Sequence, residues 1–417
     1  MCPNTTAVRR NCLPGRKTGS ATGPGPAPCY CRRWAAAAEP VQLPPLSLYI
    51  HLPWCERKCP YCDFNSHEAT HIPEGDYVQA LLDDLRRDQD LAADREVQTL
   101  FIGGGTPSLF SAQAIDRLLQ GVAQQLNLAV TLEATMEANP GSAEASKFLG
   151  FRQAGINRLS LGIQSFQEDK LQALGRVHDA GQARAAVECA QAAGFDSVNL
   201  DLMHGLPGQG VEDALADLQT AVDFQPAHLS WYQLTIEPNT VFNKRPPILP
   251  VEDTLADIQD AGEQLLADEG YRQYEVSAYS RPTMQCRHNL NYWSFGDYLA
   301  IGAGAHGKIT GADGRILRYA KTRTPGDYLT GENYTASSRE LGRPEVMSEF
   351  MLFALRLNEG FSLPGFERAT GLQARHLQPT LGALCERGLL EQEGDNVRAT
   401  ILGRRFLDTV IAEFLPA

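Results

Sequence analysis

An α/β fold is what this chain of 417 residues predicts: an open, partial (β/α)6 barrel followed by a small, mainly helical, winged-helix-like domain. Three observations lead there. Between residues 46 and 280, short apolar runs alternate with helical stretches through six βα units and end on a seventh strand. Six units are too few to close an eightfold barrel, so the sheet should stay open and curved. The polar and Gly-rich residues fall at the carboxyl ends of these runs, where a βα barrel carries its chemistry. After residue 340 the pattern changes to helices and one hairpin-like pair.

Residues 1–44 stand apart. They are rich in Gly, Pro, Ala and Ser, and Glu39 is their first acidic residue. An Arg-rich, acid-poor start resembles an organelle transit peptide, but GPGPAP at 23–28 breaks any amphipathic helix. The segment reads as a disordered extension. The barrel is expected over 45–280. Its runs are SLYIHL, TLFIGGG, TLEATMEAN, RLSLGIQSF, SVNLDLMHGL, HLSWYQLTI and YEVSAY, with helices over 76–93, 112–126, 143–154, 179–193, 211–223 and 252–269 between them. Residues 281–340 read as a connecting segment, rich in Gly and aromatics and containing CRHNLNYW and YLAIGAGAHG. The carboxyl-terminal domain, 341–417, is expected as helices over 345–357, 363–370 and 374–388, a hairpin about a GDN turn, and a final helix.

Composition narrows the function. A formal net charge of -13 excludes a general nucleic-acid binder, which needs a basic face. The 10 Cys lack the dense, regular spacing of a secreted disulfide scaffold and fit a reducing compartment. No apolar stretch is long enough to span a bilayer, so the chain is expected to be cytoplasmic, or mitochondrial if residues 1–44 are a transit peptide.

Chemistry concentrates first in Cys55, Cys59 and Cys62, spaced CxxxCxxC directly after the first strand. Three thiolates on one loop can close on a soft-metal site, yet zinc and iron–sulfur clusters both prefer four ligands. Position 64 is Phe64 and the next Cys is Cys189, so a cluster held here keeps one coordination site open. Structural or zinc-binding cysteines remain the competing reading of the spacing. Next, GGGTPS at 103–108 lets backbone approach a ligand closely, or simply makes a tight βα turn. Glu137, Gln164, Arg176 and Asp201 are polar heads at strand ends or loops facing the barrel mouth, each either a ligand contact or a structural pair. In HNLNYW, His288 offers an imidazole of the kind that ligates heme iron, and Tyr292 and Trp293 offer flat apolar faces. A loop-capping His with its aromatics in the core is the competing reading, and Cys286 and His306 are further candidate iron ligands.

The Cys motif followed by an aromatic resembles the radical S-adenosylmethionine (SAM) family. The resemblance implies that Cys55, Cys59 and Cys62 hold a [4Fe-4S] cluster whose fourth iron is chelated by SAM. It further implies that Gly104, Gly105 and Thr106 meet the SAM amino group. In the coproporphyrinogen dehydrogenase branch, Glu137, Gln164, Arg176 and Asp201 match SAM-contacting positions, and Tyr49 matches one near the cluster. Two groups in that branch differ just past the third Cys. HemN-type dehydrogenases carry CxxxCxxCxC, whereas HemW-type heme chaperones carry a Phe there together with HNxxYW; this sequence is similar to the second. The implied function is heme binding near His288 and heme transfer to an acceptor hemoprotein, respiratory or membrane-associated. The alternative is radical oxidative decarboxylation of coproporphyrinogen III. A tRNA-modifying radical SAM enzyme is disfavoured by the acidic charge.

Overall fold

The computed structural model describes residues 42–141 and 145–416, so the expectation for residues 1–44 falls, over 1–41, outside the described residues. The chain opens on β1 (Leu46–Leu52), buried along its length except for the half-buried Tyr49. Then follow α1 (Glu74–Asp88), β2 (Val97–Gly104), α2 (Ala112–Gln125), β3 (Leu128–Ala138), α3 (Phe148–Ala154) and β4 (Arg158–Gln164). The barrel continues with α4 (Ala180–Ala192), β5 (Ser197–His204), α5 (Val211–Asp223), β6 (His228–Gln233) and α6 (Glu252–Asp268). Strands β1 to β6 lie side by side in chain order, all parallel, as the βα alternation requires.

The helices form where apolar residues recur every three or four positions. In α1 these are Tyr77, Val78, Leu81, Leu82 and Leu85, all buried against the sheet. Glu74 and Asp76 sit in its first turn and Arg86 and Arg87 in its last, matching the helix dipole. Helix α4 starts on a capping box, in which Asp179 accepts from the Gln182 N–H and the Gln182 side chain accepts from the Asp179 N–H.

Two sequence expectations change here. The seventh run becomes a hairpin, β7 (Arg272–Glu275) and β8 (Ala278–Ser280), and β8 lies antiparallel to β6. The two residues between β7 and β8 leave room only for an antiparallel turn. The expected connecting segment also joins the sheet. It holds α7 (Arg287–Trp293), then β9 (Asp297–Ile301), β10 (His306–Thr310), β11 (Ile316–Lys321) and β12 (Thr335–Glu340). Strand β9 pairs parallel with β1 on the side away from β2, and β10 to β12 extend it as an antiparallel meander, giving 12 strands in all. Strands β9, β10 and β11 hid in the sequence because Asp297, Lys308 and Lys321 occupy their buried face, and β12 because it is almost wholly exposed.

Asp297 explains how that face is tolerated. Its carboxylate is fully buried and accepts from Lys308 Nζ at 2.9 Å, Arg95 Nη1 at 2.7 Å, and the Thr310 N–H and hydroxyl at 2.8 and 2.9 Å. Lys321, equally buried, is paired with Asp84 and Asp88 of α1. Buried charges persist only when paired and hydrogen-bonded in this way.

The carboxyl-terminal domain contains α8 (Arg343–Ala354), α9 (Leu363–Thr370), α10 (Thr380–Glu386), β13 (Leu390–Glu393), β14 (Asn396–Ala399) and two short helices, Ile401–Arg405 and Leu407–Ala412. Its core gathers Phe350, Phe361, Phe366, Leu377, Leu384, Val397 and Val410. Strands β13 and β14 form the expected hairpin about Gly394, which takes a positive φ of 58°. Among the described residues, no helix is long and apolar enough to cross a membrane.

Asp297→Ala is expected to lower the unfolding free energy by about 3–5 kcal/mol, because Lys308 stays buried without its carboxylate. Urea denaturation of the purified variant checks this; a loss below about 1 kcal/mol would mean that Lys308 escapes to water.

Candidate functional site

The three cysteines lie on the loop that leaves β1. A two-residue strand, Trp54–Cys55, pairs with His67–Glu68 and closes the loop at its base. Within it the Cys62 N–H donates to the Cys59 carbonyl at 3.1 Å, and the Lys58 N–H donates to Glu68 Oε1 at 2.8 Å. The neighbours hold it from both flanks. Arg57 donates to the Gly175 and Arg176 carbonyls, the Phe242 N–H to the Pro60 carbonyl, and Asn65 Nδ2 to the Ala303 carbonyl beyond β9. All three thiols are unpaired and half-buried. Burial pushes the Cys55 and Cys62 thiols up from their ordinary range.

The Gly-rich end of β2 packs against that loop. A side chain at Gly105 would put Cβ 2.4 Å from the Trp54 carbonyl oxygen, so only glycine brings the two backbones together. The Gly105 N–H donates to the Leu52 carbonyl at 2.8 Å and the Thr106 N–H to the Trp54 carbonyl at 2.7 Å. Asn139, just past β3, ties this end to the far wall: Nδ2 donates to Thr106 Oγ1 at 3.1 Å, and Oδ1 accepts from Arg176 Nη2 at 2.8 Å. Arg176 also donates to the Gly162 carbonyl at 2.8 Å and approaches Cys59 Sγ at 3.4 Å. Thr106, Asn139, Arg176 and Cys59 are thus one network.

Two carboxylates, Glu137 and Asp201, lie near each other beside this network. Glu137 accepts from the Gly104 N–H at 3.2 Å, and burial, then the nearby Asp201, raise its pKa to about 7. Asp201 accepts from Ser160 Oγ at 2.9 Å and Asn199 Nδ2 at 2.8 Å; burial raises it too, against those donors. Tyr49 belongs to the same surroundings, with its hydroxyl 3.0 Å from His51 Nδ1. Gln164 ends β4 with a φ of 68°, at the irregularity where β4 and β5 lose register. A non-Gly residue in that region is strained, which is common beside ligand sites.

His288 lies elsewhere. It is on α7, only 9% exposed, with Nδ1 2.8 Å from Thr99 Oγ1 near the start of β2 and its ring 5.1 Å from that of Phe101. Burial lowers its pKa to about 3, so the imidazole is neutral. Glu133 caps α7 by accepting from the Arg287 and His288 N–H groups at 3.1 and 3.0 Å. Tyr292 and Trp293 face the carboxyl-terminal domain, where Tyr292 packs 4.8 Å from Phe353 and the Arg356 guanidinium lies 4.7 Å over Trp293. His288, Tyr292 and Trp293 thus belong to a helix capped by Glu133 whose aromatics pack against the carboxyl-terminal domain. Cys286 is buried, whereas His306, at the start of β10, is exposed.

The sequence singles out Tyr49, Gly104, Gly105, Thr106, Glu137, Gln164, Arg176 and Asp201, and the folded chain brings them into one connected neighbourhood beside the cysteines. It misses Asn139, Arg57 and Tyr61, whose hydroxyl lies 3.5 Å from Arg176 Nη1. Asn139 follows Glu137 in MEANPG and was legible as a polar strand end; Arg57 and Tyr61 sit inside the Cys motif, where spacing drew the eye to the thiols. The residues suit a cluster with a small zwitterionic ligand. Three free thiols share one loop, Arg176 Nε is buried without a hydrogen-bond partner, and Gly162 leaves a cradle bounded by Gln164, Arg176 and Asn139.

Comparison with known proteins identifies the fold and the family. Residues 49–221 match the Radical SAM superfamily and residues 341–406 the HemN C-terminal domain. The solved structure of coproporphyrinogen III oxidase (HemN) from Escherichia coli shares the fold, with a TM-score of 0.76 at 23% identity over 89% of this chain and 90% of that one. Fold and site together define a radical SAM protein with a HemN-type carboxyl-terminal domain. Over 376 residues, 90% of this chain and 99% of the relative, it is 52% identical to the heme chaperone HemW of Escherichia coli. It is 33% identical over 376 residues to the heme chaperone HemW of Bacillus subtilis, covering 88% of this chain and 99% of that protein. A mouse protein named radical S-adenosyl methionine domain-containing protein 1, mitochondrial, is 34% identical over 417 residues, covering 92% and 94%. The chain belongs to the HemW family.

The Glu137 environment makes stability depend on pH. Its folded pKa, raised to about 7, lies above the unfolded value, so the folded state keeps a proton that the unfolded state releases. Stability from this group is full below about pH 4.5 and falls as pH rises to about 7. Glu137→Gln should remove that slope and raise stability at pH 8 by about 2 kcal/mol, less than the full shift implies because the carboxyl is partly open to the cavity. Thermal or urea unfolding at pH 5 and pH 8 checks it; identical slopes in both proteins would contradict a buried, protonated Glu137.

Proposed function

We propose that this protein is a heme chaperone that binds heme and transfers it to an acceptor hemoprotein. It carries a [4Fe-4S] cluster on Cys55, Cys59 and Cys62, with SAM in the adjoining cavity. The observation that carries this is 52% identity, over almost the whole of both chains, to a protein named heme chaperone HemW. Phe64 supports it: it stands where HemN-type dehydrogenases place a fourth Cys, and it is 62% exposed on the Cys loop. The similarity to HemN is a likeness of fold and gives no ground for dehydrogenase activity.

The residues support the cofactor assignment in different ways. The backbone at Gly104, Gly105 and Thr106 offers polar groups to the SAM amine, and Glu137 and Asp201 offer acceptors to its amine or ribose hydroxyls. Arg176 has both Nη atoms engaged and Nε unpartnered, the donor left for a carboxylate. Gln164 and Tyr49 line the same cavity. When bound and reduced, the cluster would supply one-electron chemistry toward SAM. The reading places the chaperone in the cytoplasm, or in the mitochondrion if residues 1–44 are a transit peptide, with a respiratory or membrane-associated acceptor.

His288 remains the proposed iron ligand within this reading, and its burial adds a condition. The bond to Thr99 engages Nδ1 and leaves Nε2 as the ligand atom, but the ring has to be uncovered before heme can reach it, whereas His306 is already exposed. Heme association should therefore be slower than docking to a preformed site.

Anaerobic reconstitution should give about four irons per chain, and Cys59→Ser should lose the cluster because two thiolates cannot hold it. Retention of full iron by Cys59→Ser, with loss in Cys189→Ser, would move the ligand set. Heme titration should saturate at one heme per chain, and His288→Ala should weaken or alter the heme spectrum. A change confined to His306→Ala would place the ligand there. Turnover of coproporphyrinogen III with SAM and reductant, without heme binding, would overturn the chaperone reading.

A further inference from the structure

One line of buried side chains runs across the barrel wall and ends on Asp201. In the parallel register Ser160 of β4 lies beside Asn199 of β5, which lies beside His228 of β6; one step along, Asp201 lies beside Ser230. Ser160, Asn199, His228 and Ser230 are all buried. His228 Nδ1 is 2.6 Å from Asn199 Oδ1, and His228 Nε2 is 2.8 Å from the Tyr274 hydroxyl. Asn199 Nδ2 donates to Ser160 Oγ at 2.8 Å and to Asp201 Oδ1 at 2.8 Å, and Ser160 Oγ donates to Asp201 Oδ2 at 2.9 Å. Tyr274 in turn accepts from the Cys286 N–H at 3.3 Å, at the start of the HNxxYW helix.

These contacts allow one sense of hydrogen bonding when Asp201 is ionised. A carboxylate only accepts, so the Asn199 amide must present NH2 to Asp201 and its oxygen to His228. An amide oxygen only accepts, so His228 must carry its proton on Nδ1 and accept from Tyr274 at Nε2. If the amide turned over, its oxygen would face the carboxylate oxygen at 2.8 Å, an unfavourable acceptor–acceptor contact. Ser230 Oγ, 3.1 Å from Asn199 Oδ1, is a hydroxyl and adapts to either sense; the imidazole does so only by moving its proton.

We propose that His228 is a positioning residue for SAM binding: through Asn199 it fixes the Asp201 carboxylate in the orientation that receives the ligand. This rests on the reading of Asp201 as a SAM contact. Arg158, Glu137 and Tyr232 also face Asp201, and Arg158 and Tyr274 face His228. Burial and the Arg158 charge hold His228 neutral, so its role is a fixed tautomer rather than a titration. Because Tyr274 also meets Cys286, the same line joins the start of the HNxxYW helix to the SAM cavity.

The test uses full-length, cluster-reconstituted protein and SAM itself. Dissociation constants are measured by calorimetry from pH 6 to pH 8.5 for wild type, His228→Ala and His228→Gln. His228→Ala should bind SAM about tenfold more weakly, with a larger loss at pH 6 than at pH 8.5, since Asp201 deprived of a fixed donor takes up a proton more readily. His228→Gln, whose amide N–H can still donate to Asn199, should recover most of the affinity and the wild-type pH profile. In parallel, nitrogen-15 spectra of labelled histidine in the wild type should show the Nδ1–H tautomer of His228 throughout that range. That measurement decides the matter if His228→Ala does not fold. Wild-type SAM binding that His228→Ala leaves unchanged in strength and pH profile overturns the proposal alone, as does an Nε2–H tautomer or an imidazolium. A wild type with full iron that binds no SAM overturns the cofactor reading and this proposal with it.

Discussion

Two neighbouring carboxylates held away from water, Glu137 and Asp201, set the terms for the residues around them. Like charges in a low-dielectric space repel strongly, and each also loses hydration on burial. The wall answers unevenly. Asp201 collects side-chain donors from Ser160 and Asn199, whereas Glu137 has a single backbone N–H from Gly104. The parallel register makes this possible, because it puts Glu137, Ser160, Asn199 and His228 side by side across four strands. A cationic ligand with hydroxyl donors relieves both carboxylates at once, which an apolar or anionic ligand cannot do.

The thiol loop depends on a different support, on the other side of β1. Asp297 neutralises Lys308 and Arg95 and so lets β9 lie parallel to β1 with its charges buried. Beyond the end of β9, the Ala303 carbonyl accepts from Asn65 in the Cys loop, and the Ala303 N–H donates to the Tyr77 hydroxyl of α1, which itself donates to the His51 carbonyl. The meander that the sequence presented as a connector is therefore one of the walls that fix where Cys62 and its neighbours stand.

The barrel was legible because parallel strands buried on both faces read as apolar runs, and the helices between them show a clear 3.6-residue period. Strand ends could be read for the same reason: Glu137 and Asp201 break an apolar pattern, and an isolated acid there needs a partner. Strands β10 and β11 were illegible because Lys308 and Lys321 look like solvent-facing residues, and only their pairing with Asp297, Asp84 and Asp88 reveals burial. Pairing partners far apart in sequence leave no local signal. The same limit applies to the Asn139–Arg176 bond, which spans 37 positions although each residue is readable alone as a polar strand-end or loop residue.

HNLNYW shows how one short motif can serve two neighbours. Its first half belongs to the barrel: His288 closes onto Thr99 and Phe101, Asn291 Nδ2 donates to Ser47 Oγ at 2.7 Å, and Glu133 caps the helix start. Its second half belongs to the carboxyl-terminal domain, through Tyr292 on Phe353 and Trp293 beneath Arg356. A seven-residue helix has too few internal hydrogen bonds to persist alone, so α7 holds its place through these two sets of contacts. Loosening the Tyr292–Phe353 packing would remove half of that support.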